Sequence, residues 1–389
     1  MYARVITLIC ITFIFSLATN AQSTTIDMEG TGSQRTRVLQ TKGLERPPSQ
    51  LLWKSEKLFY YRESDLIRGE NGPFKLALDV PTFQTFTTPI IAGDSIYFTY
   101  NDSSGYFFVV DKTTGKNKLR LKFDQNAVSR PAVRDNIVFF GSEKGMVHAY
   151  DATTQQVKWK FQDKDHSFVT YPLLDRDLLF FYAFDRGLYA FVADTGEVKW
   201  LYKFKKGIFT TAVGGDRLIV LTDTGRLIAL DRETGAERWN VDAGRDAIGP
   251  QVLGDQIFLH YDGGEIRSYS AVDGTLGWKS KDVPRSGSDA ALHNGLVYYS
   301  GKEMDVVALD AKTGAEKLRF KITRPCSAPL IAGELVYVRC EDNKVHALST
   351  ATLEQVWELK NGNKYPPSFV VENGVMYSLG QDGYMHAAQ

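Results

Sequence analysis

Cysteine is scarce: the 389 residues hold three, Cys10, Cys326 and Cys340. No two are adjacent and no CxxC occurs, so the familiar paired-thiol motifs are absent. HExxH, a phosphate-binding glycine-rich loop and G-x-S-x-G are missing as well, which removes the common signatures of metalloprotease, nucleotide and nucleophile-elbow chemistry. A hydrolytic triad gathered from separate loops leaves no such signature and stays open. An excess of either charge is lacking too. With 46 basic and 46 acidic residues, there is no general electrostatic reason to expect nucleic acid or a membrane surface as partner. Any charged patch must arise from arrangement. Helical spacing with caps is also absent over the lengths where strand patterns fit.

The opening MYARVITLICITFIFSLATNAQS carries Arg4, an apolar run from Val5 to Ala18, and small or polar residues ending at Ala21. That run is short for a bilayer span and has the three-part layout of a secretory signal, with cleavage expected after Ala21. Thr7, Leu8 and Ile9 precede Cys10 and the apolar run continues past it, which argues against a lipoprotein signal. No later stretch approaches a membrane span, so residues 1–21 read as a signal peptide and the remainder as exported, periplasmic or secreted, and not membrane-embedded. Residues 22–50 are rich in Ser, Thr, Gly, Gln and charge and read as a flexible polar leader. Residues 51–389 form the folded domain.

What that domain does contain is a repeat. ALDRETGAERW (Ala229–Trp239) returns in varied form as VVDKTTGKNKL, AYDATTQQVKW, AFVADTGEVKW and ALDAKTGAEKL. Aligned on its last position, the phrase falls at Leu76, Leu119, Trp159, Trp200, Trp239, Trp278, Leu318 and Trp357, a spacing of 39 to 43 residues. Such a period marks repeated supersecondary units. Upstream of each phrase lie two short apolar runs split by Gly, Asp or Asn, as in TPIIAGDSIYF and GPQVLGDQIFL, the signature of a hairpin. Each unit is therefore four antiparallel strands. Both faces of such a sheet are apolar, and radial stacking hides them, which is the β-propeller arrangement.

Proline orients the blades. Pro89, Pro131, Pro172, Pro250 and Pro329 occupy one equivalent place near the start of the first strand, where a missing N–H is tolerable only on an edge. The first strand is therefore the innermost. Eight copies of the inner three strands are present, and the last lacks its outer strand. The expected fold is all-β: an eight-bladed propeller of four-stranded antiparallel blades, closed by an N-terminal strand completing the last blade. ENGPFKL (Glu70–Leu76) matches DTGEVKW and is the first candidate for that strand; LLWKSEKLFYY, through Trp53, is the second.

The phrase A-x-D-x-x-T-G-x-x-x-W resembles the repeat of the PQQ-like (pyrroloquinoline quinone) β-propellers, from about residue 70 to the end. The resemblance is specific for fold and unspecific for function, since that family spans quinone-dependent dehydrogenases, non-catalytic BamB-type assembly factors and exported binding propellers. It implies that the Trp docks on the Gly turn of an adjacent blade. Asp231 and Thr234 can bond turn amides and Gly235 permits positive φ. Gln155 and Leu353 replace that Gly, while Leu119 and Leu318 replace Trp, so those contacts must be built differently.

The dehydrogenases of the family are similar in holding the quinone beneath adjacent cysteines with a calcium ion; this chain has no such pair, so no cofactor and no catalytic residue is assigned. Cys326 and Cys340 lie near the open end of a hairpin turning at Ala332–Leu335, yet strict pairing puts them on opposite faces, so a disulfide and two free thiols are both open. His148, His346 and His386 share one position in three blades; such places diverge from the axis, and half-buried packing explains them better than a shared metal.

A sharper pattern lies in the loops entering the innermost strands. Lys206, Arg245, Arg285, Arg324 and Lys364 hold one aligned position in five successive blades, with Gln84, Asn126 and Ser167 in the first half. On a ring they trace a one-sided basic crescent at the channel mouth, joined by Arg130, Tyr171 and Asp289, that suits an anionic ligand or acidic partner surface. Wet loops are charged anyway, and Asp246 can neutralise Arg245. The function expected is that of a monomeric, exported, non-catalytic propeller binding a protein or other macromolecule. A quinone enzyme, or a small-molecule or glycan binder using Phe168, Tyr171, Phe209 and Tyr365 at the mouth, are the alternatives.

Overall fold

The computed structural model describes residues 26–27, 38–39, 41–58, 85–86, 89–101, 105–123, 131–142, 144–165, 168, 172–183, 186–203, 207–261, 264–280, 290–301, 304–324, 326–342, 344–360, 368–379 and 383–389. These residues form eight antiparallel sheets and no helix, so none of them supplies a helix long and apolar enough to cross a membrane. Seven sheets are consecutive in the chain: blade 1 (residues 90–123), blade 2 (132–162), blade 3 (173–203), blade 4 (208–242), blade 5 (247–279), blade 6 (291–321) and blade 7 (330–360). Blade 4 shows the pattern, with Ile208–Gly214, Arg217–Thr222, Arg226–Asp231 and Glu237–Asp242 side by side in chain order. Among the four strands of each blade the first lies at the inner end of the order, and the first strands of blades 1 to 5, and those of blades 6 and 7, touch in succession, so they surround the axis.

Proline sits where an inner edge tolerates it. Pro89, Pro131, Pro172 and Pro329 immediately precede their strands, and Pro250 lies inside Ala247–Leu253 at a shift in register between Ile248 and Gln251. A residue without an N–H interrupts the ladder at that point and nowhere deeper in the sheet.

The core is not central but distributed between sheets. Six clusters of buried side chains each bridge one pair of consecutive blades, from blades 1 and 2 round to blades 6 and 7. A seventh joins blades 7, 8 and 1, with Tyr337 and Trp357, Phe369 and Tyr377, and Phe98 and Phe108 among its members. No blade has a core of its own. Each sheet's middle strands are therefore almost wholly buried, as in Leu178–Ala183 of blade 3.

Tryptophan makes the outer half of each interface. Trp159 of blade 2 lies on Gly196 of blade 3, Trp200 on Gly235 of blade 4, Trp239 on Gly274 of blade 5, and Trp278 on Gly314 of blade 6. The indole Nε1–H of each donates to the same turn: Trp159 to the Ala193 carbonyl (2.8 Å), Trp200 to Arg232 (3.1 Å), Trp239 to Ala271 (3.1 Å) and Trp278 to Ala311 (2.9 Å). The glycines have φ between 71° and 76°. A Cβ on Gly235 would stand 2.7 Å from Trp200 Cδ2, so both the backbone and the ring demand glycine. Where the outer-strand residue is leucine, the facing turn changes with it. Leu119 of blade 1 is followed by Gln155 in blade 2, and Leu318 of blade 6 by Leu353 in blade 7, each turn residue keeping a positive φ of 58° and 57°. Leu353 is 1% exposed and packs in one cluster with Leu318, filling with its own side chain the volume an indole would take.

The last blade is made from both parts of the chain. Ser368–Glu372, Val375–Leu379 and Met385–Ala388 are completed by Leu51–Lys54, which pairs antiparallel with Met385–Ala388. The expectation that Glu70–Leu76 closes the ring is therefore corrected; that segment lies outside the described residues. The reason is side-chain chemistry. Trp53 reaches Gly115 of blade 1 and donates to the Lys112 carbonyl (3.0 Å), the same contact that Trp159, Trp200, Trp239 and Trp278 make, whereas regular spacing pointed to Leu76. Spacing is a weak guide at the one junction where the chain leaves its repeat. Backbone bonds from Ser49 and Gln50 to the Gln389 carbonyl, and from Ser55 to Met385, extend the seam, and Lys112 of blade 1 pairs with Glu372 of blade 8 at 2.7 Å.

Blade 8 has no turn of its own to receive Trp357. Instead Trp357 Nε1–H donates to the Leu44 carbonyl (2.7 Å), and the Leu44 amide donates to the Tyr337 hydroxyl (2.6 Å). Residues 41–44 thus lie between blades 7 and 8, with the Lys42 carbonyl accepting from Gly374 and Leu44 buried. Before them, Val38–Leu39 runs parallel to the innermost strand Leu330–Ala332, and Ile26–Asp27 pairs with Ile90–Ala92 of blade 1. Both pairings use the channel-side edge of an innermost strand.

Trp53→Ala should cost roughly 3 to 5 kcal/mol, read from the urea unfolding midpoint. Gly254→Ala, where nothing lies within 4 Å of the new Cβ, should cost about 1 to 2 kcal/mol for the left-handed backbone alone, and Gly235→Ala distinctly more. In a cycle of Leu318→Trp and Leu353→Gly, each single change should destabilise and the pair should recover part of the loss, by about 0.5 to 3 kcal/mol. Simple additivity would show that the two sites are not matched.

Candidate functional site

The polar residues of the repeat are spent inside the turns. Asp231 Oδ1 accepts from the amides of Glu233 (3.0 Å) and Thr234 (2.8 Å) and from the Thr234 hydroxyl (2.9 Å), while Oδ2 accepts from Arg238 (2.6 Å). Asp111, Asp151 and Asp310 close their turns in the same way. The Arg238 guanidinium above all, then the Thr234 hydroxyl and amide, pull the Asp231 carboxyl down to about 2. Beside the same turn Arg232 reaches back to Asp175 of blade 3 at 2.8 Å. The turn carboxylates Asp111, Asp151, Asp231 and Asp310 are thus committed to their own turns.

The three aligned histidines stand in blades 2, 7 and 8 and have unrelated surroundings. His148 stacks on Phe140 (5.1 Å between centroids), and burial, then the Lys160 charge, lower its imidazole below the ordinary value. His386 lies near Tyr384 (6.5 Å). His346 is buried, with Nδ1 2.8 Å from Gln355 Oε1 and Nε2 3.2 Å from Asp342 Oδ2. The ligand atoms of Cys340, Asp342 and His346 all lie within 4.8 Å of one another. Sequence reasoning missed this grouping because it compared histidines between blades and not within one. The signal was local: C-x-D-x-x-x-H, residues 340 to 346, spans one hairpin.

Cys326 and Cys340 form a disulfide. Their Cα atoms are 3.9 Å apart across an isolated antiparallel bridge. In the hairpin proper Leu330 faces Tyr337; a one-residue slip at Ser327–Pro329, where the proline breaks the ladder, turns Cys326 to the face that Cys340 occupies. Strict extrapolation of the hairpin misses that slip.

Of the crescent, two members fall among the described residues. Arg245 lies in the link from Glu237–Asp242 to Ala247–Leu253, and Arg324 in that from Glu316–Lys321 to Leu330–Ala332. Both are exposed, and neither has an ion pair among the described residues, Asp246 included. Because both are outer-to-inner links, they stand on one face of the ring. Lys206, Arg285, Lys364, Arg130, Tyr171 and Asp289 lie outside the described residues, as does Tyr365. Phe168 does not face the channel mouth: it is 0% exposed and packs against Phe161, Phe181 and Tyr189 between blades 2 and 3. Aromatic patterning cannot tell a core ring from a mouth ring when both sit in a connecting loop.

Eight radially stacked sheets, five of their junctions made by Trp on a Gly turn, define a PQQ-like β-propeller. The sequence model of the family described as "Outer membrane protein assembly factor BamB" matches residues 120–205, 201–287 and 262–387, and the chain belongs to that family. No curated protein sequence matches it significantly. Among solved structures it is similar to the computationally designed Ika8 protein (TM-score 0.68, 15% identity, 78% of this chain and 96% of that one). It is also similar to BamB from Moraxella catarrhalis (0.62, 18%, 79% and 97%) and to a europium-containing methanol dehydrogenase (0.63, 14%, 91% and 88%). At these identities the likeness is one of fold alone.

The depressed turn carboxylates set an acid limit. Asp231 is lowered on folding, so its contribution is present above its unfolded value near 4 and is lost as pH falls toward 2. Stability measured by denaturant unfolding should decline over that window. Asp231→Asn should flatten the decline while lowering stability at pH 7; an unchanged slope would place the acid sensitivity elsewhere.

Proposed function

We propose that the protein is an exported, non-catalytic propeller that holds a protein or other macromolecular partner on the face of its outer-to-inner loops, as a scaffold of the cell envelope. The supporting observation is where side chains are committed. Repeated Asp, Thr, Gly and Trp residues make their contacts within or between blades, while Arg245 and Arg324 project into solvent without a counter-charge among the described residues. Specificity then belongs to the loops, as it does in rigid scaffolds generally. A basic arc completed by Lys206, Arg285 and Lys364 favours an acidic partner surface. Membership in a family described by an outer membrane assembly factor supports the envelope setting.

A quinone cofactor fits these residues poorly. The family's enzymes are similar in using adjacent cysteines, whereas Cys326 and Cys340 are fourteen apart and bound to each other within blade 7. In addition, the N-terminal segment already pairs with two innermost strands on their channel side.

The test is charge reversal at Arg245, Arg285 and Arg324 to Glu, followed by cross-linking capture from the envelope fraction. Capture of the partner should fall at least tenfold while circular dichroism stays unchanged. Undiminished capture ends the crescent. Calcium-dependent binding of PQQ with dye-linked alcohol oxidation ends the non-catalytic reading.

A further inference from the structure

We infer that blade 7 carries a metal site for a thiophilic divalent cation of the zinc type, built from Cys326, Cys340, Asp342 and His346 and closed to the metal while the Cys326–Cys340 disulfide stands. The four groups come from three neighbouring pieces of chain: the loop entering the innermost strand, the end of Leu335–Cys340 with the turn after it, and Lys344–Ser349. Cys340, Asp342 and His346 have their ligand atoms within 4.8 Å of one another, and Cys326 Sγ is bonded to that of Cys340. Two thiolates, an imidazole and a carboxylate form a four-coordinate donor set suited to tetrahedral zinc, with zinc–sulfur distances of about 2.3 Å.

The imidazole and the carboxylate are already held as ligands would be. His346 Nδ1 lies 2.8 Å from Gln355 Oε1, and Nε2 lies 3.2 Å from Asp342 Oδ2. A divalent cation seated between Nε2 and Oδ2 would be bound by both. Asp342 is aimed by its other oxygen, Oδ1, which accepts the Lys344 amide at 2.9 Å. A histidine oriented through its second nitrogen and a carboxylate fixed by a backbone amide are the outer-shell arrangement that metal ligands use. Cys340 is 2% exposed and His346 6%, while Cys326 and Asp342 are half-buried, so the site has a buried side and a side open to solvent.

The exchange balances with a dithiol or phosphine reductant. The sulfur–sulfur bond accepts two electrons and two protons to give two thiols; a dithiol supplies both and becomes a disulfide, whereas a phosphine supplies the electrons and becomes its oxide with the oxygen and the protons taken from water. A divalent cation then displaces the two thiol protons and binds both thiolates with His346 Nε2 and Asp342 Oδ2. Disulfide and metal are mutually exclusive occupants, because a disulfide sulfur has no thiolate to donate.

Cobalt(II) alone is the probe, added to the purified protein before and after phosphine reduction. The reduced protein should take up one cobalt per chain with sulfur-to-cobalt charge-transfer absorption and intense tetrahedral ligand-field bands, displaced by one equivalent of zinc. The oxidised protein should show neither. His346→Ala and Asp342→Asn should each weaken cobalt binding by tenfold or more, a range typical of lost ligation. Absence of the bands in reduced protein overturns the site, as does binding that both variants leave unchanged. Loss of the near-ultraviolet circular dichroism on reduction, before metal is added, overturns it too.

Discussion

An indole laid on a glycine turn, its N–H bonded to a carbonyl of that turn, is the contact on which the architecture depends. Each blade is a twisted four-stranded sheet whose two faces are both apolar, and no sheet has an interior of its own. Burial is gained only between neighbours, so the free energy of folding is held at interfaces and the blades stand or fall by how they meet. The Trp–Gly contact fixes that meeting at the outer rim, where the wedge between two radiating sheets is widest and a large flat ring is needed to fill it. Nearer the axis the sheets converge and small or branched side chains suffice.

The match of Leu318 with buried Leu353 shows that the constraint can be one of volume and not of residue identity, whereas Gln155 on the turn opposite Leu119 is exposed. Leucine on the outer strand goes with a side chain on the facing turn, at Leu119 with Gln155 and at Leu318 with Leu353, and both turns retain the left-handed backbone that glycine would otherwise supply. That conformation is uncommon for a leucine, so the space vacated by the indole must be filled strongly enough to hold it. At the seam the same need is met by a backbone: the Leu44 carbonyl receives Trp357 because blade 8 has no turn to offer.

Much of this was legible in the sequence. Period, hairpins, the edge position of proline and the count of eight follow from the spacing of Trp, Gly and apolar runs, since repetition multiplies a weak local signal. Legibility ends where repetition ends. Trp53 was the stronger chemical match for the closing strand, but Glu70–Leu76 fitted the spacing, and spacing has no force at a junction that occurs once. The disulfide turned on a slip of one residue beside Pro329, and the grouping of Cys340, Asp342 and His346 on a hairpin whose partners become neighbours only through cross-strand register. Basic residues at an aligned loop position could be read from sequence as a crescent, yet loops carry little periodicity, and Phe168 shows how a ring read as solvent-facing becomes core.

Because Met385 and Ser55 meet in the last blade although they stand 330 positions apart in the chain, the ring has a seam whose two sides are made at opposite times. As the chain emerges from the ribosome, seven sheets can form and lean on one another while their terminal faces remain wet, but the strand from residues 51–54 has no partner until the final hairpin arrives. Long-range pairing of this kind is slow. A chain cut short of that hairpin would leave both terminal faces uncovered and prone to stick to other chains.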